Sequence, residues 1–222
     1  MKIKILLLRV LFLALVILPF TSPVVADNSE ELAILMATNS CPNCNLRGAD
    51  LRGLTLIGAD FSGAVLEGAS LEGVNLWRAN FTNASLKGAL LTGANLRDSI
   101  LSGADLNGAL IRGANLKFAT ALKTNFANTD LRQANLLHAG LQQADFGRAD
   151  LRGAYMGYAD LKGAILTNAN LSNTTLESAN LEDVNLTDID LSSSHLRNAS
   201  LNEASLCRTS TPWGQDDRDC QE

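Results

Sequence analysis

The sequence predicts an all-β solenoid, a rod of stacked coils, and three observations lead to this prediction. From residue 44 to 208, one large apolar residue recurs at every fifth position without an insertion, which gives 33 consecutive positions from Leu46 to Leu206. Of these, 26 are Leu and four are Phe, and the residue two places earlier is Ala in 23 of the 33. Finally, no proline occurs between Cys44 and Thr211, as a continuous backbone ladder requires.

A period of five fits neither a straight helix nor a flat strand. On a helix, each fifth residue advances by roughly 140°, so the apolar residues would spiral around the axis. On a strand, an odd period sends successive side chains to opposite faces. If the chain instead turns a corner once per repeat, every central residue points to one axis, beside the small residue that precedes it. Since no repeat can bury its own Leu, the coils must stack.

The corner positions agree with this interpretation. The position two after the central residue is Gly in 13 repeats, including every repeat from Gly48 to Gly73. The third residue of a type II turn needs a positive φ, which favours Gly. Later repeats carry Asn128, Gln133 or Arg208 there, so we expect a different turn type toward the C-terminal end. A disordered low-complexity tract is the alternative, because Gly, Asn and Asp are poor strand formers, but the unbroken Leu register disfavours it.

Units such as Ala49-Asp50-Leu51-Arg52-Gly53 and Ala149-Asp150-Leu151-Arg152-Gly153 resemble the A(D/N)LXX motif of the pentapeptide repeat family. The resemblance covers 165 of the 222 residues. It implies a right-handed quadrilateral β-helix with four pentapeptides per coil and about eight coils. Exported members of the family that are similar to this chain belong to the cyanobacterial periplasm or the thylakoid lumen, so the resemblance implies one of these compartments.

Residues 1–26 have the pattern of a signal peptide. Two lysines precede an apolar stretch, and Val24-Val25-Ala26 offers small residues for cleavage before Asp27. After Arg9 only 11 apolar residues follow, which is short for a bilayer span, although an uncleaved anchor is the alternative. We therefore expect an exported protein with no membrane insertion after signal cleavage.

Both ends of the array should be capped, because an end coil exposes its apolar interior. Residues 27–43 contain a short helix-forming run with Ser29 as its N-cap, and we expect this segment to form the N-terminal helical cap. The tail, residues 209–222, is out of register with the repeats of residues 44–208. We expect it to cover the other end, with Trp213 as its buried contact.

The four cysteines, Cys41, Cys44, Cys207 and Cys220, allow three pairings. In the solenoid the two groups lie at opposite ends, whereas bridged Cα atoms lie within about 7 Å. Only Cys41–Cys44 and Cys207–Cys220 are then feasible within one chain, and the same distance excludes a zinc site made of all four. The alternative is that Cys41-Pro42-Asn43-Cys44 is a thiol–disulfide active site, since CxxC is the redox spacing. Cys44 occupies an inward small position of the first repeat, which disfavours that alternative.

Residues twenty apart should fall on one side of the rod. We call one such side the aromatic face, and its candidate interaction residues are Ile57, Trp77, Phe118, Leu137, His138, Tyr155 and Tyr158. An asparagine ladder lies beside them, at Asn75, Asn95, Asn115 and Asn135. A face this rich in aromatic groups is a candidate partner site. The alternative is that these columns only stabilise adjacent coils.

Charge excludes nucleic acid as the expected partner. Residues 44–162 carry 12 basic and 10 acidic groups, whereas residues 163–207 carry one basic and six acidic groups, so no basic stripe is evident. The side adjacent to the aromatic face carries two charged columns, Arg112, Arg132 and Arg152 beside Asp130 and Asp150. We expect these columns to compensate each other as a solvated lattice.

The sequence shows no catalytic constellation. Its two histidines, His138 and His195, point outward in the predicted register, and the glycines form neither a GxxxxGK[ST] nor a GxGxxG loop. We therefore expect no enzymatic activity, cofactor or metal. The favoured function is an exported, non-enzymatic scaffold that binds an unidentified protein. The alternatives are a DNA mimic that binds gyrase, as in some family members, and a CxxC thiol oxidoreductase; the export signal and the mixed charge oppose the DNA mimic.

Overall fold

The computed structural model describes residues 28–217 and Cys220. The predicted signal peptide, residues 1–26, lies outside the described residues. The described part contains one helix, α1 (Ser29–Thr38), and two short strands, β1 (Thr209–Thr211) and β2 (Gly214–Asp216), which pair antiparallel. Within that part of the chain, no helix is both long enough and apolar enough to cross a membrane.

Between α1 and β1, the backbone forms a ladder of single parallel bridges between residues twenty apart. The bridges run from Ser40–Asp60 to Asp190–Ser210 and fall into four columns, so four pentapeptides complete one coil. Each column is continued by alternating hydrogen bonds: the Leu46 N–H donates to the Val65 carbonyl (2.7 Å), and the Val65 N–H donates to the Cys44 carbonyl (2.8 Å). On each side of a coil only one residue forms a bridge to the next coil, because the chain turns immediately after that residue.

The corners are β-turns with a positive φ at their third residue. In the turn around Gly48 (φ 66°), the Ala49 N–H donates to the Leu46 carbonyl at 3.0 Å, the pattern of a type II turn. The expected change of turn type is wrong, because Asn128 (φ 59°), Gln133 (φ 59°) and Arg208 (φ 54°) keep this conformation. The ladder imposes this corner on every described repeat from Gly48 to Arg208 except the one at Ser193, at a cost of about 1–2 kcal/mol for each residue other than glycine.

The axis of the rod is filled by the central residues. Leu46, Leu66 and their counterparts are buried, apart from the partly buried Leu201, and Phe61–Phe81 and Phe126–Phe146 stack across successive coils at 5.0 Å between ring centroids. The inward alanines are buried beside them, apart from the partly buried Ala169 and Ala199. This packing leaves no room for a ligand along the axis.

At the N-terminal end, α1 packs against the first coil through Leu35, which is 1% exposed. The helix has Asn28 as its N-cap residue, so the prediction of Ser29 is wrong. The reason is that the Asn28 carbonyl already accepts the first helical hydrogen bond, from the Leu32 N–H at 2.9 Å. The side chains of Asn28 and Asn39 donate instead to carbonyls of the first coil, those of Arg47 and Ile57, each at 2.8 Å.

At the C-terminal end, the tail differs from both expectations. It stays in register, because Ser210 bridges to Asp190 and Thr211 follows at the next central position. Trp213 is 63% exposed and is not the buried contact, since it lies in the turn between β1 and β2, away from the core. Thr209 and Thr211 are buried in its place, at 0% and 4% exposure.

Both terminal segments carry a disulfide. Cys41 is bonded to Cys44, and Cys207 to Cys220. Cys41 is fully buried and follows the C-terminal end of α1. A redox-active cysteine is usually exposed and lies at a helix N-terminus, where the dipole stabilises the thiolate. The surroundings of Cys41 are the opposite, so they favour a structural bridge.

Candidate functional site

The aromatic face is organised around a stack of three rings. Phe118, His138 and Tyr158 occupy the same corner of three successive coils, with ring centroids 5.2 and 4.8 Å apart and interplanar angles of 15° and 16°. All three have a positive φ, between 56° and 62°. Phe118 is 39% exposed and Tyr158 is 55% exposed. The ring edges therefore form a ridge that is open to solvent.

Cationic side chains lie on the rings of this face. The Lys117 Nζ is 4.9 Å from the centroid of the Phe118 ring, and the Arg97 guanidinium is 5.4 Å from it. The Arg78 guanidinium lies 4.6 Å above the Trp77 ring. Such contacts hold a cation in place without neutralising it, and at exposed sites each contributes about 0.5–1 kcal/mol.

Trp77 also anchors one carboxylate of this corner. Its Nε1–H donates to Asp98 Oδ2 at 2.8 Å, and the Arg97 Nε donates to the same oxygen at 3.2 Å. The hydrogen bond from Trp77 is the main cause that lowers the pKa of Asp98, and Arg97 adds to it against the opposing effect of burial. Trp77 is half-buried, so it is less available to a partner than Phe118 or Tyr158.

The asparagine ladder is satisfied within the rod. Asn95 Nδ2 donates to Asn75 Oδ1 at 3.0 Å, and Asn115 Nδ2 donates to Asn95 Oδ1 at 3.3 Å. Each oxygen also accepts a backbone N–H two residues later, as Asn115 does from Lys117 at 3.2 Å. These amides stabilise adjacent coils, as the structural alternative proposes. The Oδ1 groups of the ladder are therefore occupied by the fold itself, and Asn135 joins it through its Oδ1, which accepts the Leu137 N–H at 3.1 Å.

The other members of the aromatic face differ in exposure. Ile57 and Tyr155 are 41% and 55% exposed, as expected for outward positions. Leu137 was expected to be exposed, but it is half-buried. Its Cδ1 lies 3.1 Å from the place where a Cβ of Gly157 would be, so the leucine covers this glycine on the next coil.

The neighbouring charged columns compensate each other. Arg132 donates from Nε and Nη2 to the two oxygens of Asp130 at 2.8 and 2.6 Å, and Arg152 binds Asp150 in the same way. The Arg132 Nε also lies 3.6 Å from Asp150 Oδ2, which links the two pairs. These arginines hold the pKa values of Asp130 and Asp150 below their usual range, mainly through the side-chain hydrogen bonds.

A groove of about 400 Å³ lies at the C-terminal end of the same side, and sequence reasoning missed it. It is lined by Thr175, Glu177, Ser194, His195, Leu196, Arg197, Pro212 and Trp213. The groove depends on the reversal between β1 and β2. The signal that could have indicated it is Pro212-Trp213-Gly214, because Pro and Gly flanking one residue favour a turn.

In the part of the chain that the structure describes, no group of three or more His, Cys, Asp or Glu side chains is arranged to hold a metal ion. His138 lies in the ring stack and His195 in the groove, so the two histidines belong to different parts of the same side. What this side displays is therefore a ridge of rings and cations on a filled rod.

A rod of stacked five-residue units that displays side chains at its corners is a repeat solenoid, and its sequence places it in a specific family. The chain belongs to the pentapeptide repeat family. The family model, Pentapeptide repeats, matches in eight copies at residues 44–83, 78–113, 109–148, 144–183 and 185–210. Membership implies a right-handed β-helix and a class of proteins that are generally structural or binding proteins rather than enzymes.

Several solved structures are similar to the chain. HetL from the cyanobacterium Nostoc sp. strain PCC 7120, a pentapeptide repeat protein involved in heterocyst differentiation regulation, is 28% identical, with 83% of this chain and 97% of HetL covered and a TM-score of 0.35. QnrB1, a plasmid-mediated fluoroquinolone resistance protein, is 22% identical, with 72% and 81% covered and a TM-score of 0.40. A pentapeptide repeat protein from the Arabidopsis thaliana thylakoid lumen is 26% identical, with 63% and 70% covered and a TM-score of 0.25.

At these TM-scores the likenesses add no argument to the family assignment. A comparison with curated proteins gave no match. Function therefore has to be argued from the chain's own surface.

Proposed function

We propose that the protein is an exported, non-enzymatic scaffold whose aromatic face binds another protein. In this proposal the repeats form a quadrilateral rod of about eight coils that holds the face rigid. The observation that carries the proposal is the exposed stack of Phe118, His138 and Tyr158. Aromatic residues and arginines are the side chains that contribute most at protein interfaces.

The positions of these rings favour a role beyond stabilisation. A positive φ disfavours bulky residues, and 13 other corners use Gly at the equivalent position. Asn83, Asn128 and Asn168 show that asparagine also fits such corners. Gly or Asn would complete the turn at lower cost, and other bulky residues at such corners, Gln133 or Arg148 for example, are polar. Phe118 and Tyr158 instead expose apolar ring surface at this cost. Binding a partner would offset that cost, whereas stacking alone returns only about 0.5–1.5 kcal/mol for each pair.

The two alternative functions find less support. A DNA mimic requires acidic columns on the displayed surface, whereas the aromatic face is bordered by Arg78, Arg97 and Lys117. A thiol oxidoreductase of this kind normally attacks with the first cysteine of its CxxC, whereas Cys41 is fully buried and only Cys44 is partly exposed.

Export to a periplasm or a thylakoid lumen is part of the proposal. It is supported by the signal-like sequence of residues 1–26 and by two disulfides, which persist in oxidising compartments. Fractionation of the source cell, followed by N-terminal sequencing of the recovered protein, tests it. We expect a mature chain that begins at Asp27 in the exported fraction. A chain that retains residue 1 in the cytosol would contradict export without affecting the binding proposal.

Partner binding is tested by removing the rings with a residue that fits their backbone. The double variant Phe118→Asn and Tyr158→Asn keeps the corner geometry, since Asn adopts positive φ readily. We expect the variant to lose at least tenfold of the partner retained from a native lysate, because two central aromatic contacts disappear.

The matched control replaces two apolar residues of similar exposure on other sides of the rod. Ile100 and Ile165 are 43% and 49% exposed, and Ile100→Thr with Ile165→Thr removes comparable apolar surface. The control should retain the partner. If the ring variant retains it equally well while both variants unfold like the parent chain, the aromatic face is not the partner site.

A further inference from the structure

The side of the rod that contains the aromatic face has an excess of basic residues, although the protein is acidic. The expectation that no basic stripe exists rests on counts along the chain, and it does not hold once residues are sorted by side. We define the basic side as the bridge column from Thr55 to His195 together with the two corners that border it. It carries eight basic residues, Arg52, Arg78, Arg97, Arg112, Lys117, Arg132, Arg152 and Arg197, and three acidic ones, Glu72, Asp98 and Glu177. Three of these arginines are paired with Asp50, Asp130 and Asp150 on the adjoining column, so the remaining positive charge of this side is modest. The rest of the sequence has ten basic and twenty acidic residues, out of totals of 18 and 23.

Three cations on this side form no ion pair with a described residue. Among residues 28–217 and Cys220, most basic residues form an ion pair with a carboxylate, such as Arg132 with Asp130. Five described basic residues form no ion pair within this part of the chain: Arg78, Arg112 and Lys117 on the basic side, and Lys123 and Arg148 on other corners.

Two of these cations are held in place by aromatic rings. Arg78 lies on Trp77 and Lys117 lies on Phe118, at 4.6 and 4.9 Å. An aromatic ring orients a cation but leaves its charge uncompensated. Neither cation forms an ion pair or a hydrogen bond with a carboxylate of the described residues, although Arg78 also acts electrostatically on Asp98, which Trp77 and Arg97 hold. Both cations are therefore open to a further anion.

The same arrangement disfavours ligands that bind by stacking. A nucleobase or a sugar ring needs a free aromatic face. In the stack, His138 lies between Phe118 and Tyr158, and cations cover Phe118 from its own coil and from the coil before it. Around Phe118 and His138, what remains accessible is mainly ring edges and cations, which suit carboxylates flanked by apolar side chains. Among the described residues, Tyr155 and the outer face of Tyr158 have no such cover, and a single-stranded oligonucleotide probe tests them.

We propose that the basic side binds an acidic segment of another protein, whose Asp and Glu carboxylates pair with Arg78, Arg112 and Lys117. This inference rests on the proposed function and specifies the partner's chemistry. Arg132 and Arg152 on this side already bind carboxylates through two hydrogen bonds each, so the corner geometry accommodates such pairs. The acidic surface elsewhere repels polyanions, which directs an acidic segment to this one side.

The test measures binding of a fluorescent, glutamate-rich peptide to the purified full chain at low and at physiological salt. In the variant Arg78→Glu with Lys117→Glu, we expect affinity to fall about tenfold or more, since two attractive exposed pairs become repulsive. The fold should tolerate the change, because Glu203 occupies a corner position like that of Arg78 with φ 57°.

The matched control is Lys123→Glu with Arg148→Glu, which changes the net charge equally at two unpaired cations outside the basic side. We expect its affinity to stay within about twofold of the parent chain. If the two double variants lose the same amount of peptide affinity, net charge alone explains the loss, and the proposal is overturned. Absence of peptide binding at physiological salt would also overturn it.

Two further probes identify other classes of partner. Tighter binding of single-stranded oligonucleotide or of dextran sulfate than of the peptide, lost in the same variant, would overturn the acidic-protein assignment. The failure of this inference is distinguishable from that of the proposed function. If Phe118→Asn with Tyr158→Asn loses the native partner while the charge variant retains it, the scaffold proposal stands and the acidic-segment inference falls.

Discussion

The two ends of the solenoid are closed by different chemistry. At the N-terminal end, Leu35 of α1 is buried against the first coil, and Leu32 packs beside it. At the C-terminal end, the hairpin of β1 and β2 buries Thr209 and Thr211, and Arg208 is held by both oxygens of Asp188 at 2.5 and 2.8 Å. One end is therefore apolar and the other is largely polar.

The two end coils also differ in the backbone groups that they leave unpaired at their corners. This follows from the direction of the hydrogen bonds between coils. Within the rod, a corner N–H of one coil donates to a corner carbonyl of the next, as Gly48 does to Glu67 at 2.9 Å. The first coil therefore has spare carbonyls, and side-chain amides of Asn28 and Asn39 donate to two of them. The last coil has spare N–H groups, and the Asp217 carboxylate accepts the one from Arg208 at 3.2 Å. The N-terminal end needs donors and the C-terminal end needs acceptors.

The largest expected effect is at the apolar end. Leu35→Ala should lower the free energy of unfolding by about 2–4 kcal/mol, because it leaves a cavity under α1. Denaturant unfolding followed by circular dichroism measures the loss. The control is Met36→Ala, since Met36 is 70% exposed and should change stability by less than about 0.5 kcal/mol. Equal effects of the two substitutions would show that α1 does not close the first coil.

The disulfides provide a second comparison of the ends. Cys207–Cys220 spans 13 residues and Cys41–Cys44 spans three. Loop-closure entropy predicts that replacing the longer bridge with serines costs about 3 kcal/mol and the shorter about 2 kcal/mol. Because solenoids unfold in parts, hydrogen exchange should show the loss of protection confined to the end that was altered. A loss that spreads along the whole rod would contradict this local role.

Most of the fold could be predicted from periodicity, because a central Leu every five residues is consistent only with a chain that turns once per repeat. The same register placed Phe118, His138 and Tyr158 in one column, and the structure stacks them. The conformation of corners such as Gln133 could not be predicted locally. Neighbouring coils impose its positive φ, and that constraint comes from the ladder rather than from the residue.

The ends and the cations were less accessible to sequence reasoning. Trp213 lies outside the repeats, so no periodic signal indicates its orientation, and its hydrophobicity alone suggested burial. The contacts of Arg78 and Lys117 with rings depend on side-chain rotamers, which twenty-residue register does not determine. The groove beside His195 depends on both the hairpin and the last coil.

Acid should loosen the C-terminal end before the N-terminal end. The ion pair with Arg208 is the main cause that lowers the pKa of Asp188, and a hydrogen bond from Ser192 lowers that of Asp190. A lowered folded-state pKa contributes stability that is present above the ordinary value of about 3.9 and is lost as pH falls through the folded value. The contacts of Leu35, Asn28 and Asn39 contain no titrating side chain.

Hydrogen exchange, corrected for intrinsic rates, should therefore show protection at residues 186–210 falling from about pH 4 downward while that of the α1 backbone N–H groups, residues 32–39, persists. The first coil itself is not the reference, because Arg52 lowers the pKa of Asp50 there to about 2. The effect should be small, since exposed ion pairs are screened by solvent and contribute little to stability. Asp188→Asn should lower C-terminal protection at pH 7 and weaken its pH dependence. Unchanged pH dependence in this variant would remove the Asp188–Arg208 pair as the cause.

The smallest expected effect is at Trp213. It distinguishes a C-terminal end closed by a buried tryptophan from one closed by the buried Thr209 and Thr211. A buried capping tryptophan would cost about 3–5 kcal/mol on truncation to alanine. At 63% exposure in the hairpin turn, Trp213→Ala should change the free energy of unfolding by less than about 0.5 kcal/mol.

Thr209→Ala is the informative counterpart, because the Thr209 Oγ1 donates to the Leu186 carbonyl at 2.8 Å in a buried position. Its loss should cost about 1–3 kcal/mol, since that carbonyl then loses a partner. A larger loss at Trp213 than at Thr209 would mean that the tryptophan, and not the threonine ladder, closes this end in solution.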